Sequence, residues 1–357
     1  MNSIGISAPV VTFETGSVAR TLSKFFAPDL AMDLGTANTL VYVKGQGIKV
    51  NEPSMVAVEE ETGKVIGVGH EARRIYGKTS KAVRCVRPMK DGVIADFEMT
   101  AKMITHMLRD VTSSWRLQRP RIVIGVPSGV TQVEKRAVID AAMRAGVRQV
   151  FLVEESMAAA IGAQLPIDKA VGTMIVDIGG GTTEVAILSM GGTVYSQSIR
   201  VAGDEMDEAI LRMIRRSHGL EIGILEAERI KLLLGSALAT PLPRTLSVAG
   251  RDIATSSPRQ IEITEAQVRE ALEEPIMAIT SSIVAALEQL SPEIVHDIVP
   301  RGICLAGGGS LLRALDERLA LETGMKFHRV QDPLSCVVRG VGTIVDNLKT
   351  HKHLCIA

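Results

Sequence analysis

The sequence predicts an α/β protein in which two related domains face one nucleotide from opposite sides. Three observations predict it. The stretch 174–188, MIVDIGGGTTEVAIL, reads as strand, tight turn and strand, with Asp177 closing the first strand. The stretch AMDLGTANTLVYV, from Ala31, repeats that design with Asp33 in register. A chain of 357 residues is long enough for two domains, each burying its own core.

The chemistry of the repeat follows from its residue types. Met174, Ile175 and Val176 are apolar and suit a buried strand. Gly179, Gly180 and Gly181 permit a sharp turn and leave no Cβ to hold a ligand away. Successive backbone N–H groups in such a turn form an anion nest, to which the Thr182 and Thr183 hydroxyls add donors. A carboxylate beside a phosphate nest repels the anion unless a cation lies between them. Asp177 therefore reads as a Mg²⁺-side carboxylate. Either turn alone is explained as an ordinary hairpin tip. Two copies with Asp in register, each followed by a Gly-containing turn (44–47; Gly191-Gly192) and a third strand, favour a nucleotide site.

Composition excludes other classes. Forty basic residues balance 40 acidic ones, so the chain is no general polyanion binder, and aromatics at 3% argue against extensive base stacking. Nucleic acid is not an expected partner. Cys85, Cys304, Cys336 and Cys355 are far apart and form no CxxC or His/Cys cluster, which fits core thiols in a reducing compartment rather than a zinc site. No apolar run reaches transmembrane length, and no secretory signal is legible.

In chain order, residues 1–15 show no clear period. In 17–27, SVARTLSKFFA, Val18, Leu22, Phe25 and Phe26 share a helical face with Arg20 and Lys24 off it. That pattern suits a membrane-surface anchor, a helix packed on its own domain, or a disordered leader. Strands at 54–58 and 64–68 and a short helix at 71–76 form a small insertion, followed by a loop at 84–94. A helix spans 99–111, and the loop 113–120 carries Trp115 and Leu117, either a second membrane contact or a loop folded on the domain. A strand at 121–126 precedes a helix that Thr131 and Glu134 open as a capping box. After a strand at 150–153 come Glu154 and Glu155 and a helix to Gly162; a carboxylate in a first turn commonly only complements the helix dipole.

The second domain begins near Val171. Helices are expected from Gly203 to about His218 and over 221–235, where Glu228 and Lys231 share a face. A hairpin follows at 246–263, then a helix capped by Thr264 and Gln267, and a separate long helix from Pro275 to Leu290. A strand at 301–306 leads through Gly307, Gly308, Gly309 and Ser310 into a helix over 311–321; a Gly-rich turn there lets a ligand approach the helix N-terminus. A strand at 326–330 and a helix over 334–348 close the chain.

The segments AMDLGTANT, NEPSMVAV, RPMKDGVIADF, VPSGVTQVEKRA, VDIGGGTTEVA, GDEMDEAI, AERIK, LAGGGSLLRALD and DPLSCV together resemble the actin-like ATPase superfamily, and within it the bacterial actins of the MreB family, from about Asp29 to Leu348. The resemblance implies a duplicated, ribonuclease H-like fold with four subdomains around a central cleft. It implies a leader at 1–28, a first domain at 29–170 (insertion about 57–89, C-terminal segment about 340–357) and a second at 171–339 (insertion about 206–263). By that resemblance Thr36, Ala37 and Asn38 hold phosphates from one side, and Gly179, Gly180, Gly181 and Thr182 from the other. Asp33 and Asp177 orient the waters of Mg²⁺. Glu228, Arg229, Ile230 and Lys231 belong to the adenosine-contacting helix, and Gly307, Gly308, Gly309 and Ser310 let the nucleotide lie against the backbone. Glu155 is the water-positioning carboxylate. The family usually places Pro after that Glu; here it is Ser156, which puts the hydrolysis rate in question.

The resemblance implies an ATPase that binds ATP or ADP with Mg²⁺ and forms filaments on the inner face of the cytoplasmic membrane. Its partners would be further copies of itself and membrane proteins of the cell-wall elongation machinery, the outcome being rod shape. The alternatives on the same fold are a sugar kinase, for which no separate sugar-binding insertion is legible, and a chaperone-type ATPase, which needs a peptide-binding domain beyond Ala357.

Overall fold

The computed structural model describes residues 28–112 and 119–356. The amphipathic segment 17–27 and the Trp115 loop lie outside the described residues.

The first domain opens with three antiparallel strands, β1 (Leu30–Leu34), β2 (Asn38–Val43) and β3 (Gly47–Pro53). Strands β4 (Val56–Glu59), β5 (Val65–Val68) and, after helix α1 (His70–Ile75), β6 (Val83–Val86) form a small separate sheet. A two-residue ladder, β7 (Met89–Lys90) with β8 (Val93–Ile94), precedes α2 (Phe97–Thr112), β9 (Arg121–Val126), α3 (Gln132–Arg144), β10 (Gln149–Glu154) and α4 (Glu155–Gly162). The expected loop over 84–94 is thus corrected to a strand and a tight hairpin. Asp91 and Gly92 both have positive φ, 51° and 75°, as a two-residue hairpin turn requires. An Asp-Gly pair between apolar residues is a hairpin signal that the sequence already carried.

The second domain starts with β11 (Thr173–Ile178), β12 (Thr183–Ser189) and β13 (Gly192–Ile199). Helix α5 (Gly203–His218), β14 (Leu220–Glu221), α6 (Ile224–Leu234), β15 (Thr245–Asp252) and β16 (Pro258–Thr264) follow, then α7 (Glu265–Glu288), α8 (Pro292–Arg301), β17 (Ile303–Ala306), α9 (Leu315–Thr323), β18 (Phe327–Arg329), α10 (Cys336–Asp346) and α11 (Leu348–His351). The two helices expected around Pro275 are one helix. Proline removes one backbone donor, but Val268, Leu272, Ile276, Ile279 and Ile283 form an unbroken buried stripe through it, and packing overrides the local preference. Strands β14, β15 and β16 make a three-stranded sheet.

The two large sheets share one plan. Their strand orders are β3-β2-β1-β9-β10 and β13-β12-β11-β17-β18. In each, three antiparallel strands are extended on the far side of the first by two parallel ones. Each has a register irregularity between its second and third strands, at Val41/Tyr42 in one and, two residues further along the matched strand, at Ile187/Leu188 in the other. Asp33 pairs with Leu40 and Gly125, as Asp177 pairs with Glu184 and Ala306. The duplication read from two short motifs therefore extends over the whole of both five-stranded sheets.

Between the sheets lie α4 and α10, which share an apolar cluster with strands of both. The two helices cross at backbone distance. A Cβ on Gly340 would stand 1.7 Å from the Ala158 carbonyl oxygen, and one on Gly162 would stand 2.0 Å from that of Cys336. Neither backbone can yield without parting the helices. Gly340→Ala is expected to destabilise the protein by more than about 3 kcal/mol, read as a shifted denaturation midpoint.

Candidate functional site

The two hairpin turns meet. A Cβ on Gly180 would lie 2.6 Å from Cβ of Ala37, and one on Gly181 would lie 2.6 Å from the Thr36 hydroxyl. The first turn is fixed by Ser54, whose hydroxyl donates to the Gly35 carbonyl (2.6 Å), and by Gly92, whose N–H donates to Thr36 Oγ1 (2.9 Å). In the second turn the Gly179 and Gly180 carbonyls accept from the N–H groups of Gly203 and Asp204 at the start of α5 (3.2 and 2.7 Å). A trans peptide sets N–H opposite C=O, so the amides of Gly180 and Gly181 face away from α5. They are free to form the anion nest expected there.

The hairpins floor a cleft of about 600 Å³, within the usual size range of small-molecule sites. Asp33, Thr36, Ala37, Asn38, Glu155, Asp177, Gly179, Gly180, Gly181 and Thr182 line it at this end. Glu228, Lys231, Gly307, Gly308 and Gly309 line it at the other. Three of the expected residues do not. Ile230 is fully buried in the core of the second domain, and Arg229 turns outward to pair with Glu226 (2.8 Å). Ser310 is also fully buried, its hydroxyl donating to the Gly307 carbonyl (2.7 Å). Arg229 and Ile230 lie between Glu228 and Lys231, which share a face three residues apart on a 3.6-residue helix, so they must point elsewhere. Ser310 pins the turn rather than facing a ligand.

Gly307 has φ of 77°, and a Cβ there would fall 2.2 Å from the Ile178 carbonyl oxygen and 2.3 Å from Asp177. The turn after β17 thus lies flat on the end of β11. Leu311 and Leu334, both about half exposed, flank it. They offer apolar faces to a flat ring, a feature that sequence reading missed because apolar residues in a turn and a short helix carry no pattern. Lys231 Nζ is held by the Gly203 carbonyl (2.8 Å) and by Asp207 (2.9 Å), which joins α6 to the start of α5.

Two ion pairs span the mouth of the cleft. Arg73 on α1 meets Glu228 (2.5 Å), and Arg87 meets Asp204 in a fork (2.9 and 2.7 Å). All four groups are partly exposed, so each pair contributes at most about 1 kcal/mol. Both arginines were missed, since no local motif marks a residue that reaches across a cleft.

The electrostatics are those of an acidic cluster. Burial pushes Asp33 up to about 7. Burial, with Asp33 and Glu184 nearby, pushes Asp177 up to about 8. Glu155 is raised by burial and by Asp33, Glu184 and Asp177. Among the described residues no three His, Cys, Asp or Glu converge tightly enough to grip a metal directly. The donor set, with Asp33 and Asp177 among its carboxylates, fits a hydrated divalent cation rather than a directly ligated one.

A pH dependence follows. Both aspartates have folded pKa values raised from 3.8, so between about pH 4 and 8 the folded state binds more protons than the unfolded one. Stability of the nucleotide-free protein therefore falls as pH rises through that window. Its melting temperature is expected to drop by several degrees from about pH 5 to pH 8, each kcal/mol corresponding to about 2–4 °C. Saturating Mg²⁺ and nucleotide should flatten the profile. A flat profile in the free protein would count against the carboxylate cluster.

Two duplicated sheet domains that bring matched hairpins to one cleft define the actin-like class of nucleotide-binding fold. The family model described as MreB/Mbl protein matches residues 27–353, and the chain belongs to that family. The cell shape-determining protein MreB of Escherichia coli (strain K12) is 49% identical over 338 residues, 92% of this chain and 97% of that protein. The cell shape-determining protein Mbl of Bacillus subtilis (strain 168) is 43% identical over 323 residues, 90% of this chain and 97% of its own. Among solved structures, MreB5 of Spiroplasma citri bound to ADP superposes with a TM-score of 0.86 at 35% identity, covering 92% of this chain and 98% of that one. The same protein bound to AMPPNP gives 0.85 at 35% identity and the same coverage. The MamK double helical filament gives 0.74 at 25% identity, covering 90% and 98%. Among the described residues no helix is long and apolar enough to cross a membrane.

Proposed function

We propose that this chain is an ATP-dependent, filament-forming bacterial actin that helps set cell shape. One observation carries the reading: the hairpins of two duplicated domains touch at the floor of a single cleft, Gly180 against Ala37. A triphosphate on that floor is held by both domains at once, which fixes their relative orientation. Subunits fixed in one orientation associate head to tail, and a contact that does not close yields a filament. The names of relatives support the outcome, being cell shape-determining proteins, nucleotide-bound MreB5 and a MamK filament.

In this reading Thr36, Ala37 and Asn38 cradle the phosphates from the first domain, and Gly179, Gly180, Gly181 and Thr182 from the second. Glu228 and Lys231 take the ribose and adenine end, with Gly307, Gly308 and Gly309 beneath. Asp33 and Asp177 hold hydrated Mg²⁺, which neutralises charge on the phosphates. Glu155 orients the water that attacks the terminal phosphoryl group. Filaments lie on the inner face of the cytoplasmic membrane and meet membrane proteins of the elongation machinery.

The test is sedimentation and electron microscopy of the purified protein on lipid with Mg-ATP, Mg-ADP or neither. Polymer that needs nucleotide is expected. Absence of polymer, with a phosphorylated sugar appearing when sugars are supplied, would establish the kinase alternative instead.

A further inference from the structure

A line of buried polar contacts crosses from one domain to the other behind the phosphate end of the cleft. Ser156 is the second residue of α4, directly after Glu155, and is fully buried. Its hydroxyl lies 3.2 Å from that of Ser128, in the turn after β9. The Ser128 N–H donates to Glu184 Oε2 (3.0 Å), across the domain boundary on β12. The Ser198 hydroxyl on β13 donates to Glu184 Oε1 (2.5 Å). Glu184 stands two residues beyond Thr182 and pairs with Asp177 in the sheet.

An ionised carboxylate only accepts, so the groups around Glu184 must donate. Burial raises the Glu184 carboxyl, while hydrogen bonds from Ser198 and from both the N–H and hydroxyl of Ser128 oppose that rise. Ser128 and Ser156 share a hydrogen bond in which either hydroxyl can donate. Serine at 156 is one end of a chain of hydrogen-bonded groups that runs through Ser128 to Glu184.

We propose that Ser156 is a positioning residue whose hydroxyl couples the first turn of the Glu155 helix, through Ser128 and Glu184, to the phosphate hairpin of the second domain. A change in the angle between domains moves Glu184 and is transmitted to the turn that sets Glu155. The effect on hydrolysis rests on the role given to Glu155 above; the mechanical link does not.

The test uses the full chain as wild type, Ser156→Ala, Ser128→Ala and the double variant. Amide hydrogen exchange over residues 124–130, with bound Mg-AMPPNP, reads the link without any hydrolysis. Loss of one hydrogen bond is expected to speed exchange there about fivefold in Ser156→Ala. Single-turnover phosphate release at saturating Mg-ATP is expected to slow about fivefold in each single variant, with ATP affinity within about twofold of wild type. The double variant should be no slower than either single one, since both break the same chain. Unchanged exchange over 124–130, or losses that multiply in the double variant, would overturn the proposal. Wild-type protein that binds Mg-ATP but releases no phosphate would instead remove the role of Glu155, and the exchange measurement would then decide on Ser156 alone.

Discussion

Replacing Glu155 by alanine is expected to leave Mg-ATP binding within a few-fold of wild type and to slow phosphate release at least about a hundredfold. The carboxylate opens α4, lines the cleft, and is pushed up by burial and by three neighbouring carboxyls. Bound cation would lower it again and leave an acceptor aimed at water. The hairpin turns to which the proposal gives the phosphates are separate from it in sequence and lose nothing when it is cut back. Binding is read by nucleotide titration and turnover by phosphate release in one single-turnover series. Unchanged turnover would remove Glu155 from its role, and lost binding would place it in the cradle rather than in water activation. Because Ser156 keeps its hydroxyl contact in this variant, the fold of the helix start should survive.

The second large effect is expected from Gly180→Val, which should abolish nucleotide-dependent assembly. Even a bare Cβ at this position would press to 2.6 Å of the Ala37 Cβ and 3.0 Å of its backbone nitrogen. Valine adds two methyl groups where the opposing turn already is. The domains must part, and a cleft floor split in this way no longer holds one triphosphate from both sides. Nucleotide affinity should fall at least about a hundredfold, since most phosphate donors on one face are displaced. The second domain retains its own core, so the variant should still unfold cooperatively. Assembly at wild-type nucleotide concentration would refute the idea that contact between the turns matters.

How much of this was legible in the sequence differs from element to element. The hairpins, both capping boxes and the repeat of Asp33 by Asp177 were legible because each depends on near neighbours in the chain. The Asp91-Gly92 pair is a local hairpin signal, and positive φ at both residues is what distinguishes it from an open loop. Glu184 was not marked: its environment comes from Ser128, 56 residues away, and Ser198 on the next strand. Arg73 and Arg87 act on partners 155 and 117 residues distant. Pro275 misled because local preference argued for a break that tertiary packing overrode. Arg229, Ile230 and Ser310 were carried along with motifs whose other members do face the cleft; periodicity within a helix or turn decides which do.

The placement of α10 has a consequence for biosynthesis. Residues 336–348 complete an apolar cluster begun by Ala31, Val123 and Phe151. As the chain emerges from the ribosome N-terminus first, its earliest strands must wait for almost the last helix before that surface is covered. Most of the cluster around β11, α5 and α7 comes from a continuous run and can close while translation is still under way. Since α10 closes this cluster on strands of both domains at once, the inner face of the first-made sheet is the surface left open longest, and during that interval it is the one that nascent-chain chaperones would need to shield.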